Sequence, residues 1–258
     1  MEYERKHECR LVVVADDIFP DRVALWEELL FDVDSVTELR VMLHSYGGDG
    51  ETAVRLVRSA QARCDTLTIV LPDQAKSAAT LIALGAHEIL MGPASDLGPV
   101  DPQLVLESGA VVAAKEVIAA VDNASARVQQ APETYALWAS LLSDVSALKV
   151  ERAKAAIARS QDLLKEALSS CSGRAQQDVE EFVEALSGPL ISESQSHSAT
   201  FSADDAIAAG LPVRKLPPES DEWKDTWRLW SRYALMAADH AIYESARASQ
   251  VISRRRTQ

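Results

Sequence analysis

Short apolar runs rich in β-branched residues recur through the first third of the chain, at 11–16 (LVVVAD), 38–45 (ELRVMLHS), 66–72 (TLTIVLP) and 88–93 (EILMGP). They predict four buried strands. Between them, 20–33, 50–64 and 78–86 carry apolar residues at helical offsets, and the Pro/Gly-rich stretch 94–103 (ASDLGPVDPQ) reads as a loop. Strands alternating with helices over short connections predict an α/β fold: a parallel sheet with helices on its faces. Right-handed crossovers then bring the C-terminal ends of the strands to one edge, where such folds place their sites.

Beyond 110 the period becomes helical, and three segments (111–130, 132–171, 175–188) predict a helical arm. A short helix at 202–210 turns at Gly210 into an edge strand, and 221–252 reads as one amphipathic C-terminal helix. Along it, Trp223, Trp227, Trp230, Leu235 and Ile242 form a packing stripe, or a partner surface. With no internal repeat and no linker, the chain is expected to be one domain over 1–258, with a core at about 10–110 and 188–217, an arm at about 110–187 and a C-terminal helix at about 221–252.

Composition narrows the partners. A net charge of −13 disfavours nucleic acid and anionic membrane surfaces. The basic run Arg254–Arg256 reads as a solvated terminus. Cys9, Cys64 and Cys171 show neither a CxxC pair nor metal-ligand spacing, which suggests reduced thiols in a cytoplasmic protein. The charged N-terminal stretch lacks the apolar centre of a signal peptide, and no uncharged run is long enough to span a bilayer. There is no GxGxxG fingerprint, and neither cofactor nor metal is expected.

Two stretches carry chemistry. In HSYGGDG (44–50), paired glycines at a strand end allow positive φ and bring a backbone N–H close to a ligand, or merely make a tight turn. In KSAAT (76–80), Ser77 stands where a strand gives way to a helix, beside the unpaired N–H groups of a helix start. It is either an N-cap or a nucleophile with a donor next to it. In a parallel sheet the two turns lie side by side and together supply the minimum for an oxyanion hole.

The segments SYGGDGETAVRLV, KSAATLIALGAHEILMGPASDLGPVDPQ and SADDAIAAGLPV, in that order, resemble the serine dehydrogenase proteinase family. These are relatives of the SppA-like signal peptide peptidases within the ClpP/crotonase superfamily. The resemblance covers about residues 11–215 and implies a ClpP/crotonase-like fold and a serine peptidase. It makes Ser77 the nucleophile and the N–H groups of Gly48 and Ala78 the oxyanion hole. Gly47, Leu97, Gly98, Pro99 and Val100 would border the substrate, with 94–103 as the strand along which an extended peptide lies. Rings or trimer-based homo-oligomers are the implied assembly, with peptide or protein as substrate.

The general base is open. ClpP carries a histidine about 25 residues after its serine; here that place falls at Pro102, in GPVDPQ, without a histidine. SppA-like enzymes use a lysine, and Lys115, among small apolar neighbours, stands roughly where dyad enzymes carry theirs. His197 matches the region that holds the third triad member in ClpP, and is the rival as base or orienter. Lys76 is a poor candidate because sequence neighbours seldom point the same way, and His44 and His87 read as structural. Two other functions fit the same segments: an acyl-CoA enolate site of crotonase type, for which no basic cluster is evident, and a degenerate peptide-binding or assembly module.

Overall fold

The computed structural model describes residues 2–31, 33, 36–194 and 196–253. In chain order its elements are α1 (Glu2–His7), β1 (Arg10–Ala15), α2 (Val23–Leu30), β2 (Val36–His44), α3 (Gly50–Gln61), β3 (Cys64–Leu71), β4 (Gln74–Ala75), α4 (Ala78–Leu84), β5 (Glu88–Met91), β6 (Asp96–Leu97), β7 (Gln103–Val105) and β8 (Val111–Ala113). There follow α5 (Ala114–Gln130), α6 (Tyr135–Leu141), α7 (Ala147–Ser169), α8 (Gln176–Ser187), β9 (Phe201–Ser202), α9 (Ala203–Ala208), β10 (Val213–Lys215), α10 (Asp221–Ala237), β11 (His240–Ser245) and β12 (Ser249–Ser253).

The main sheet has the order β10–β5–β3–β2–β1–β11–β12, and the five strands from β10 to β1 run parallel. The apolar runs are continuous because both faces are covered. Alternate residues serve different cores: Val12, Val14, Leu39, Val41, Leu67, Ile69 and Ile89 face α3, α4, α7 and α8, while Leu11, Val13, Met42, Val70 and Leu90 face Tyr3 of α1 and Trp223, Trp230 and Tyr233 of α10. Gly92 makes room for this second layer, since a Cβ there would lie 2.0 Å from the Trp223 ring.

The C-terminal helix expected over 221–252 ends at Ala237, and the remainder is the hairpin β11–β12, antiparallel on β1. The alanine-rich stretch extends a helical pattern, but β1 offers an open edge that Ala241, Ile242 and Tyr243 bury themselves against. Of the expected tryptophan stripe, Trp223 and Trp230 are buried, whereas Trp227 and Leu235 are exposed. The expected middle helix of the arm breaks between α6 and α7, where the Ser146 hydroxyl caps α7 by accepting from Lys149 N–H at 3.2 Å. The stretch read as a loop carries β6 and, at its last residue, the start of β7. β7 pairs with β8, over residues that the helical period places in the first helix of the arm. Arg254–Arg256 lie outside the described residues.

Candidate active site

The turn after β2 is dictated by close backbone approach. Gly47 and Gly48 have φ of 115° and 133°, which side-chain-bearing residues adopt only with strain. Ile18 N–H donates to Gly47 O at 2.7 Å, and Asp49 N–H donates to Ile18 O at 2.6 Å. A Cβ on Gly48 would stand 2.2 Å from Ile18 O, so only glycine fits. Asp49 then caps α3, its Oδ1 accepting from Thr52 N–H at 2.7 Å and from the Thr52 hydroxyl at 2.6 Å.

The second turn is stitched to the first. Ser45 N–H donates to Gln74 O at 3.1 Å and Lys76 N–H to Ser45 O at 3.0 Å. A Cβ on Gly47 would lie 2.7 Å from Ser77 Cβ and 3.4 Å from Ser77 Oγ, which places the paired glycines directly against the serine. Ser77 itself has φ 50° and ψ −116°, and its side chain makes no capping hydrogen bond. It is held out of the helix rather than used to close it. Ala78 follows as the first residue of α4, so its N–H has no acceptor within the helix. Thr80, wholly buried, fixes that start with its hydroxyl 2.9 Å from Ala75 O and 2.8 Å from Gly98 O, its single proton shared between them.

The third contribution comes from distant chain. Asp101, only 2% exposed, meets His197 with Oδ1 2.7 Å from Nδ1. Its Oδ2 is buried and faces Lys115 Nζ at 3.4 Å. Lys115 also donates to Ser194 O and Ser194 Oγ, and lies 3.5 Å from Ile191 O. Burial pushes the Asp101 carboxyl up, but the hydrogen bond and charge of His197 and the charge of Lys115 outweigh it. The group is therefore held below the ordinary carboxylate range.

A cavity of about 500 Å³ gathers these pieces. Ser77, Gly48, Ala78, Val100, Asp101 and His197 line it, with Leu81 and Leu163 as apolar wall. Gly47 adjoins Ser77 from behind. Lys115 reaches the site through Asp101. Leu97, Gly98 and Pro99 are buried and committed inward. β6 is paired on both sides, by β4 and β9, and Gly98 N–H donates to Ala75 O at 3.1 Å. The expected substrate strand is thus closed at 96–98, whereas β7, which among the described strands pairs with β8 alone, begins at Gln103 on the cavity wall.

Lys76 turns away from Ser77 to ion-pair with Asp96 at 2.6 Å. His87 is structural, accepting from Leu67 N–H at 2.9 Å through Nδ1 while Nε2 lies 3.0 Å from Ser172 O. His44 packs against the Trp230 ring at 4.9 Å. Asp101 stands in GPVDPQ, close to the place where the resemblance to ClpP calls for a histidine. The signal present was a lone carboxylate in an apolar, proline-flanked stretch.

Among the described residues, no group of three or more His, Cys, Asp or Glu is placed to hold a metal ion, and no helix is long and apolar enough to cross a membrane. An uncharacterized protein of Methanocaldococcus jannaschii is 27% identical over 179 residues, 69% of this chain and 54% of that protein, so the chain spans about half the length of this curated relative. Among solved structures, a serine-to-alanine variant of the 1510-N membrane-bound stomatin-specific protease aligns with TM-score 0.49 and 15% identity over 84% of this chain and 81% of that one. An asparagine-to-aspartate variant of ClpP1 from Listeria monocytogenes aligns with TM-score 0.41 and 13% identity over 86% and 99%. The model of the ClpP-like SDH-type serine proteinase family matches residues 33–169, more than half of the chain. The α/β architecture with its parallel-rich sheet is the fold of that family, and the chain belongs to it.

Proposed function

We propose that the protein is a serine peptidase that cleaves peptide bonds through an acyl-enzyme on Ser77, with His197 as general base and Asp101 as its orienting carboxylate. The observation that carries this reading is the single cavity shared by Ser77, the Gly48 and Ala78 turns, and the His197–Asp101 pair. Ser77 Oγ attacks the scissile carbonyl carbon while its proton passes to His197 Nε2. The negative charge that develops on the carbonyl oxygen is taken by the N–H groups of Gly48 and Ala78. Collapse breaks the C–N bond, and the amine leaves with the proton from His197. Water, deprotonated by the same imidazole, then hydrolyses the ester and restores Ser77.

His197 is preferred to Lys115 on position. The imidazole lines the cavity, whereas the Lys115 ammonium is engaged by Asp101 and Ser194. The triad so formed reverses the expected order. Asp101 stands close to where ClpP carries its histidine, and His197 lies in the region that holds the third member. An extended substrate would add to β7, whose first residue, Gln103, lines the cavity. A homo-oligomer, trimer-based or ring-shaped, fits the exposed apolar residues Tyr135, Leu137 and Leu141 of α6. The three unpaired cysteines Cys9, Cys64 and Cys171 suit a cytoplasmic setting.

Labelling by a fluorophosphonate probe tests the proposal. The wild-type protein is expected to label, and Ser77→Ala and His197→Ala to lose labelling by about a thousandfold or more, as single losses from a triad do. A folded wild-type protein that stays unlabelled would instead support a peptide-binding module without hydrolysis.

A further inference from the structure

The Lys115 side chain occupies a place that the proposed reaction does not use. It rises from the first turn of α5, a helix otherwise set in the small cluster of Ala114, Val117 and Ala153. Its ammonium closes on the one oxygen of Asp101 that His197 leaves without a hydrogen bond. Desolvating a carboxylate is unfavourable unless the charge is paired. One hydrogen bond from His197 covers Oδ1 and leaves Oδ2 facing the protein interior. Lys115 also grips Ser194, at the start of the segment that carries His197.

We infer that Lys115 is a positioning residue: it keeps Asp101 ionised and, through Ser194, sets the loop so that His197 presents its imidazole to Ser77. This rests on the reaction proposed above and gives the lysine a role other than that of base. An ammonium held by a carboxylate and by both Ser194 oxygens has its protons committed to those acceptors. A base must be free to take one up. Around Asp101 the charged groups are His197 on the 196–199 segment and Lys115 on α5, with Asp49 before α3, Glu51 on α3 and Arg159 on α7 farther round the cavity. Arg159 is balanced by Glu51 and Glu166, and Asp49 is taken up in capping α3 through Thr52, which leaves the Lys115 ammonium as the charge set against Asp101.

The test needs a readout that does not depend on turnover. The Nδ1–H proton shared by His197 and Asp101 should give a downfield proton NMR signal, assigned among the five histidines by its absence in His197→Gln. It is expected to persist on acidification until Asp101 takes up a proton. In Lys115→Met, and in Lys115→Gln should the first variant fold poorly, the signal should vanish at a pH about one unit higher. Fluorophosphonate labelling at neutral pH should slow by roughly tenfold, and Lys115→Arg should restore both. Equal acid midpoints in wild type and the neutral variants overturn the inference. So does abolition of labelling in Lys115→Met and Lys115→Arg alike with the NMR signal intact, the result expected of a lysine base. A wild-type protein that shows the NMR shift but never labels overturns the peptidase proposal and leaves the lysine–aspartate–histidine linkage standing.

Discussion

Ser77 is one of two non-glycine residues with positive φ among those described, the other being Glu8 near the N-terminus. Its φ of 50° and ψ of −116° fall where L-residues pay for the Cβ, on the order of 1–3 kcal/mol. The strain is held by neighbours that cannot yield: Gly47 against its Cβ, and the Thr80 hydroxyl locking the turn to Ala75 and Gly98. Ser77→Gly should therefore be more stable than Ser77→Ala, since both lose the hydroxyl but only glycine relaxes the backbone. After the larger unfolded-state entropy of glycine, the gain should be about 1 kcal/mol, or roughly 2–4 °C in Tm. Thermal melts of the two variants decide it, and a glycine variant that melts at or below the alanine one removes the claim of strain. At this scale the sequence was partly legible. KSAAT and YGGDG announce themselves because small residues and paired glycines are scarce at buried strand ends. Asp101 did not, because nothing local reveals that a carboxylate will be buried by a loop almost a hundred residues away.

Among the elements, the segment bearing His197 is held by two lysines. Lys115 grips Ser194 at one end, and Lys76 lies 3.4 Å from Ala199 O at the other while paired with Asp96. Lys76 is itself packed over Gly98, where a Cβ would stand 2.3 Å from its Cδ. Lys76→Met should loosen the Ala199 end without disturbing β2 or β3. Amide hydrogen exchange over 196–200 is expected to quicken by about tenfold or more, with strand amides unchanged. Exchange that quickens throughout the sheet would mean that Lys76 supports the fold at large. The strands β1, β2, β3 and β5 could be read from composition because they are buried on both faces, and α3 because its apolar offsets are regular. β6, β7 and β9 could not. Each is two or three residues long and exists only through its partner, which local pattern does not encode.

Across the whole molecule, the sheet stands between two apolar layers, and the second is sealed by charge as well as by tryptophan. Arg40, its side chain 8% exposed on the face covered by α10, meets Glu38 and Glu222, each at 2.7 Å. Glu222 also takes Arg214 at 2.6 Å, which joins β2, β10 and α10. Burial pushes the Glu222 carboxyl up, but the hydrogen bonds from Arg214 and Arg40 prevail and bring it down to about 2. In the unfolded chain a glutamate titrates near 4.3. The folded value is the lower one, so the stabilisation is fully present above about pH 5 and is lost as pH falls from 4.3 towards 2. The full linkage would be about 3 kcal/mol, and partial exposure of the side chain reduces it to roughly 1–2 kcal/mol. Glu222→Gln should therefore melt lower than wild type at pH 7, and the gap should narrow to about half on acidification to pH 3 and go on shrinking towards pH 2. Other carboxylates and the easing of the −13 net charge act on both proteins and cancel in the difference. Melting curves recorded across that range provide the check. A gap that stays constant with pH would mean that Glu222 contributes packing and neutral hydrogen bonds, and that the charge linking α10 to the sheet is not what holds this layer in place.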